Sequence, residues 1–229
     1  MNVHDALSQI ADIRQQVARA QSFRGYRAAT TAFTAVVAIV TAALQAVLLP
    51  DPDARGVANV SGADWSRYEP VAAGMFRIDH YLYLWFIAAM ISLAVVGTEM
   101  WVRVRKSDSD LQRDLTAAAV EQFVPALVAG LLLTIVIVQF AFDSRWLLPG
   151  LWMILFAMGV FASRRVLPRF ASVIAGFYLM AGLVVIAMRK DAGLHAWTMG
   201  TVFGIGQTAA AGMLWITERR ALRQSRNEE

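Results

Sequence analysis

The chain has 229 residues, of which 58% are hydrophobic and only 17% charged, with a mean hydropathy of +0.50. A soluble domain carries about 25% charged residues, so this composition excludes a disordered chain, a disulfide-stapled secreted scaffold and an ordinary water-soluble enzyme. The net charge of +4 comes from 21 Lys and Arg against 17 Asp and Glu. The arginines stand at the ends of apolar runs rather than in one block, which points to membrane topology and away from nucleic acid. There is no cysteine, so disulfides, thiolate metal sites and thiol catalysis are excluded.

Residues 3 to 20 carry Val3, Leu7, Ile10, Ile13 and Val17 at steps of three and four, with Asp5, Gln9, Asp12 and Gln16 facing elsewhere. This periodicity predicts an amphipathic helix lying on the membrane or on a partner. Its scattered acids and amides do not fit a signal peptide. Arg24 and Arg27 complete a basic lead-in over 1–27. They suit ordinary anchoring and also the binding of anionic headgroups.

Six apolar runs follow, at about 28–49, 81–102, 120–142, 146–162, 170–188 and 196–216. Each is close to the ~20 residues that a helix needs to cross the hydrocarbon core. The runs are continuous rather than alternating, so helices and not barrel strands are expected. The expected fold is an all-α polytopic transmembrane bundle of six helices, 28–216, preceded by the amphipathic helix and followed by a basic tail, 217–229. Fifteen of the 21 Lys and Arg fall on one side of that topology and six on the other. The positive-inside rule then puts both termini in the cytoplasm. Trp146 and Trp197 at the outer starts of spans, and Trp101 and Trp215 at inner ends, suit the interfacial belt.

Phe23-Arg24-Gly25-Tyr26-Arg27, Glu121-Gln122-Phe123-Val124-Pro125 and Leu148-Pro149-Gly150-Leu151-Trp152 resemble segments of a family of six-span bacterial membrane proteins with no assigned activity. The resemblance covers most of the chain. It implies a multi-pass protein of the bacterial inner membrane, and it carries no functional residue with it.

Polar groups within a bilayer are costly and are the default candidates for function. Glu99 lies near the inner end of the second run, and Glu121 and Gln122 open the third. They suit a cytoplasm-facing proton or cation site, or interfacial ion pairing with Arg103 and Arg105. Gln207 and Thr208 lie near the middle of the sixth run, where an amide contacts a solute or bonds to a neighbouring helix. Gln45 and Gln139, nearer the outer edge, are less informative. His80 and His195 stand at the same expected outer depth. Two such histidines could hold a haem or a metal ion, or could be hydrogen-bonded loop residues. Gly200 and Gly204 have the spacing for close helix packing, within the bundle or in a homo-oligomer. Pro125 either kinks the third helix or marks its first turn.

No nucleotide loop, zinc-protease helix or serine elbow is present. No catalytic residue and no metal site is therefore expected, and no cofactor beyond the haem alternative. The expected partners are the lipid bilayer and a cytoplasmic or membrane protein, with no nucleic acid. The preferred functional expectation is an interaction or regulatory membrane component. The alternatives are a small transporter or channel for a neutral or weakly polar solute, and a haem-binding redox protein.

Overall fold

The computed structural model describes residues 28–48, 69–106, 110–165, 167–168, 170–188 and 195–227. The amphipathic helix expected before residue 21 lies outside these residues, as do the basic lead-in and positions 50–68 of the long loop. The described residues are helical, with no strand among them. Six α-helices follow one another: α1 (Ala28–Leu48), α2 (Glu69–Lys106), α3 (Asp110–Phe140), α4 (Leu148–Ala162), α5 (Ala171–Ala187) and α6 (Ala196–Asn227). Two short 3-10 segments, Phe142–Leu147 and Ser163–Arg165, flank α4.

Five of these stretches are long and apolar enough to cross a membrane: Ala28–Leu48, His80–Lys106, Thr116–Phe140, Asp143–Ala162 and Ala196–Arg220. The apolar helix α5 is shorter, at 17 residues. At 1.5 Å per residue it reaches about 25 Å, against ~30 Å of hydrocarbon.

The helices differ in extent from the apolar runs. α2 begins at Glu69, twelve residues before the second run, with Pro70 in its first turn, where a missing N–H is harmless. α3 begins at Asp110, ten residues before the third run, and stops at Phe140. Pro125 therefore sits in the helix interior, which corrects the first-turn alternative. Its ring nitrogen gives no hydrogen bond to the Glu121 carbonyl. α6 continues through Asn227, so the expected tail is largely a helical extension. Ala, Leu, Arg, Gln and Glu at positions 218–224 are good helix formers and need no apolar pattern to stay helical.

Consecutive helices are antiparallel. Thr30 meets Glu99 and Gln45 meets Trp85 across α1 and α2. Gly200 faces Ala42 and Gly204 faces Ile39 across α6 and α1. Gly159 faces Phe123 while Trp152 reaches Thr134 across α4 and α3. The α2–α3 connection is held by Arg113 Nε donating to the Val104 carbonyl at 3.2 Å. One end of the bundle thus collects the start of α1, the α2–α3 and α4–α5 connections and the end of the α6 span. It carries Arg105, Lys106, Arg113, Arg164, Arg219 and Arg220. The other end carries His80, Arg145 and His195.

Packing follows membrane rather than aqueous rules. The core is rich in small residues, among them Ala35, Ala38, Ala42, Ala157 and Ala175, whereas Phe140, Val47 and Tyr83 are 80%, 76% and 69% exposed. An apolar exterior on this scale is unsuited to water, and small residues let helix backbones approach where lipid gives no hydrophobic drive. At the α4–α5 crossing, a Cβ on Gly150 would lie 2.8 Å from the Gly182 carbonyl oxygen, and one on Gly182 would lie 2.7 Å from that of Gly150. Only glycine fits at both positions. α1 packs closely on α6 and α4 on α5, with α2 laid against α1 and α3 against α4.

Candidate functional site

The polar side chains inside the bundle are distributed along several helix–helix seams. Many hydroxyls are satisfied within their own helix: Thr41, Thr98 and Thr134 donate to the carbonyls of Val37, Ala94 and Gly130, each at 2.7 Å. This back-bonding lets threonine enter an apolar environment. Thr134 serves twice, because its Oγ1 also accepts from Trp152 Nε1 at 2.8 Å, joining α3 to α4.

The first seam joins α1 to α2. Gln45 is 2% exposed, and its carboxamide oxygen accepts from Trp85 Nε1 at 2.7 Å. Trp85 packs in turn against Tyr81, with ring centroids 6.4 Å apart. Ala38, Ala42, Met153, Val185 and Met199 complete this cluster, so five helices converge there. The Tyr81 hydroxyl is buried in it without a hydrogen-bond partner. At the opposite end of the seam, Glu99 accepts a hydrogen bond from Thr30 Oγ1. The carboxylate is half-buried and faces α1.

The second seam joins α4, α5 and α6. Phe156, Tyr178 and Phe203 form a triangle, with centroid separations of 4.8, 5.1 and 5.7 Å. Phe123 extends it onto α3, edge-on to Phe156 at 5.7 Å. Such tilted and edge-to-face pairs are the favoured aromatic geometries. Tyr178 is fully buried, and its ring lies over Gly206, whose missing side chain makes the room. The Gln207 amide lies beside the Tyr178 hydroxyl without forming a hydrogen bond of ordinary geometry.

The remaining expected site residues are dispersed. Glu121 is exposed on α3, while Gln122 is half-buried with its Oε1 enclosed and lacking a hydrogen-bond partner. Thr208 faces outward. His80 and His195 are both exposed at the same end, flanking the cluster that holds Tyr81 and Met199. Among the described residues, no three His, Asp or Glu side chains gather as a metal site would require. Gly200 and Gly204 are buried and face Ala42 and Ile39 of α1.

Two polar residues matter more than their sequence positions suggested. Gln45, near the edge of its run, is the acceptor of a buried interhelical bond. Arg145, just before the fourth run, is 7% exposed and donates to the Val138 carbonyl at 2.6 Å. A cation there satisfies the final turn of α3 and meets the negative end of its dipole. The signal available beforehand was only an amide and a guanidinium beside apolar segments.

The chain matches no protein-family model, no curated protein and no solved structure.

Proposed function

We infer that the chain is a six-span protein of the bacterial cytoplasmic membrane, with both termini in the cytoplasm, acting as an interaction or regulatory component. The observation that carries this reading is how the bundle uses its polar groups. Gln45 and Glu99 bond across to neighbouring helices, and aromatic rings fill the space between α4, α5 and α6. Groups committed to helix packing serve a scaffold better than a solute path. The basic end of the bundle supports a cytoplasmic assignment for that end through the positive-inside rule. The resemblance to six-span bacterial membrane proteins agrees with this arrangement. α5 crosses as the sixth span in this reading, its short length met by local thinning of the bilayer.

Affinity purification of the full chain and of a chain lacking residues 1–20, from intact membranes, tests the proposal. A partner retained by the full chain and lost from the truncated one, with both still inserted, is the expected result. A partner that stays with the truncated chain, or no partner for either, contradicts it.

A second reading, a path for a neutral or weakly polar solute, has its own support. The Tyr81 and Tyr178 hydroxyls and Gln122 Oε1 are buried without partners, and such groups in an apolar interior call for water or a polar ligand. Solute flux in proteoliposomes that falls with Gln207→Leu and Glu99→Gln would favour it. Absence of flux, or flux indifferent to both changes, would remove it.

A further inference from the structure

Two tryptophan–arginine stacks stand at the basic end of the bundle. On α2, the Arg105 guanidinium carbon lies 4.7 Å from the Trp101 ring centroid. On α6, the Arg219 guanidinium carbon lies 3.7 Å from the Trp215 ring centroid. Both pairs have the one-turn spacing that brings side chains together on a helix surface. All four side chains are exposed, Trp101 at 60% and Trp215 at 46%.

The two stacks lie at one depth. The antiparallel register set by Gln45 with Trp85 and Thr30 with Glu99 brings Trp101 level with the first turn of α1. The register set by Ala42 with Gly200 and Ile39 with Gly204 brings Trp215 level with the same turn. Because α1 packs against both α2 and α6, both stacks stand at the same end of the bundle as its first turn. Below them, the helices expose apolar side chains such as Leu93, Val36 and Ile205.

We propose that each of these two stacks is a binding site for anionic phospholipid, holding its guanidinium at headgroup depth to receive a lipid phosphate. Stacking occupies the face of the guanidinium and leaves its in-plane N–H edge free for bidentate contact with phosphate oxygens. The exposed indoles suit the zone between acyl chains and headgroups. Acyl chains cover the apolar side chains beneath. Lys106, Arg220 and Arg223 add positive charge next to the stacks, and the acidic residues of this end, Glu99, Asp110, Asp114, Glu121 and Glu218, are fewer than its basic ones. This excess selects a net-anionic headgroup over a zwitterionic one. The proposal rests on membrane insertion alone and holds whichever face the stacks occupy.

The test is native mass spectrometry of the full chain released from nanodiscs of mixed phosphatidylglycerol and phosphatidylcholine. The wild type should retain phosphatidylglycerol in preference. The pair Arg105→Gln with Arg219→Gln should lower that retention at least fivefold. Arg105→Lys with Arg219→Lys should give an intermediate loss, since charge remains but the fork geometry is gone. The pair Trp101→Leu with Trp215→Leu, at exposed positions outside the core, should also weaken retention. Arg164→Gln with Arg165→Gln removes equal charge from the same end, away from both stacks, and should change little. Equal loss in that control pair would reduce the effect to bulk charge and overturn the proposal. Unchanged retention in the Arg105 and Arg219 pair would overturn it too, as would equal retention of phosphatidylcholine. Displacement of the lipid by millimolar inorganic phosphate would show a free-anion site instead.

Discussion

Trp85 donates its indole N–H to the Gln45 carboxamide at 2.7 Å, and this bond ties α2 to α1 at a position almost sealed from its surroundings. A single substitution of the acceptor strands the indole donor. The expected cost of Gln45→Leu is about 1–2 kcal/mol, within the range for a buried donor left unmade and near the upper end for interhelical bonds in lipid. Unfolding in mixed detergent micelles measures it. Adding Trp85→Phe to Gln45→Leu removes the stranded donor as well. The double-mutant cycle should therefore show a coupling of about 0.5–2 kcal/mol, as for other residues in direct contact. A coupling near zero would mean that the bond does not hold the helices together.

Gly200 faces Ala42 where α6 crosses α1. A methyl group on Gly200 would collide with the Ala42 side chain, so Gly200→Ala should destabilise by about 1–3 kcal/mol, the usual range for overpacking. Pairing it with Ala42→Gly moves the methyl from one helix to the other. The double variant should recover most of the loss in the same unfolding assay. Failure to recover would show that the crossing is not set by this pair.

The aromatic seam makes a contrast between two neighbouring substitutions. A Cβ on Gly206 would sit 2.5 Å from Tyr178 Cζ and 2.8 Å from Cε2. The ring is hemmed in by Phe156 and Phe203. Gly206→Ala should therefore cost about 1–3 kcal/mol. Tyr178→Phe removes a buried hydroxyl that has no hydrogen-bond partner of ordinary geometry. It should be neutral or mildly stabilising, because desolvation of that group was not compensated. A clear loss of thermal stability in Tyr178→Phe would instead reveal a hydrogen bond from the hydroxyl to Gln207 or to a buried water.

The helical class and the positions of the apolar segments were legible from hydropathy, because a bilayer forces long uninterrupted runs. Helix ends were not. Residues 69–80, 110–119 and 217–227 are helical but polar enough to escape an apolar window. Glu99 and Gln207 could be picked out as polar groups within apolar runs, yet their neighbours could not. Thr30 meets Glu99, and Tyr178 meets Gly206 beside Gln207, through the register between helices. That register is set by small residues on both partners and is absent from either helix read alone. Gln45 was undervalued for the same reason: its depth suggested an edge residue, whereas its burial depends on Trp85 forty positions away.

The measurement that bears most directly on the account is the sidedness of single cysteines, which the cysteine-free chain makes clean. Ser107→Cys, Leu167→Cys and Ser225→Cys should react with a membrane-impermeant maleimide only once the cytoplasmic face is opened. Asp143→Cys and Ala192→Cys should react from outside in intact cells. The pair at 167 and 192 brackets α5, whose apolar stretch is the one of the six, among the described residues, below full spanning length. Opposite sidedness at that pair, with 107 and 225 inside, is the result expected of six spans with a basic cytoplasmic face. Labelling of 167 and 192 from the same side would contradict it, leaving five crossings and the two ends of the 28–227 segment on opposite faces.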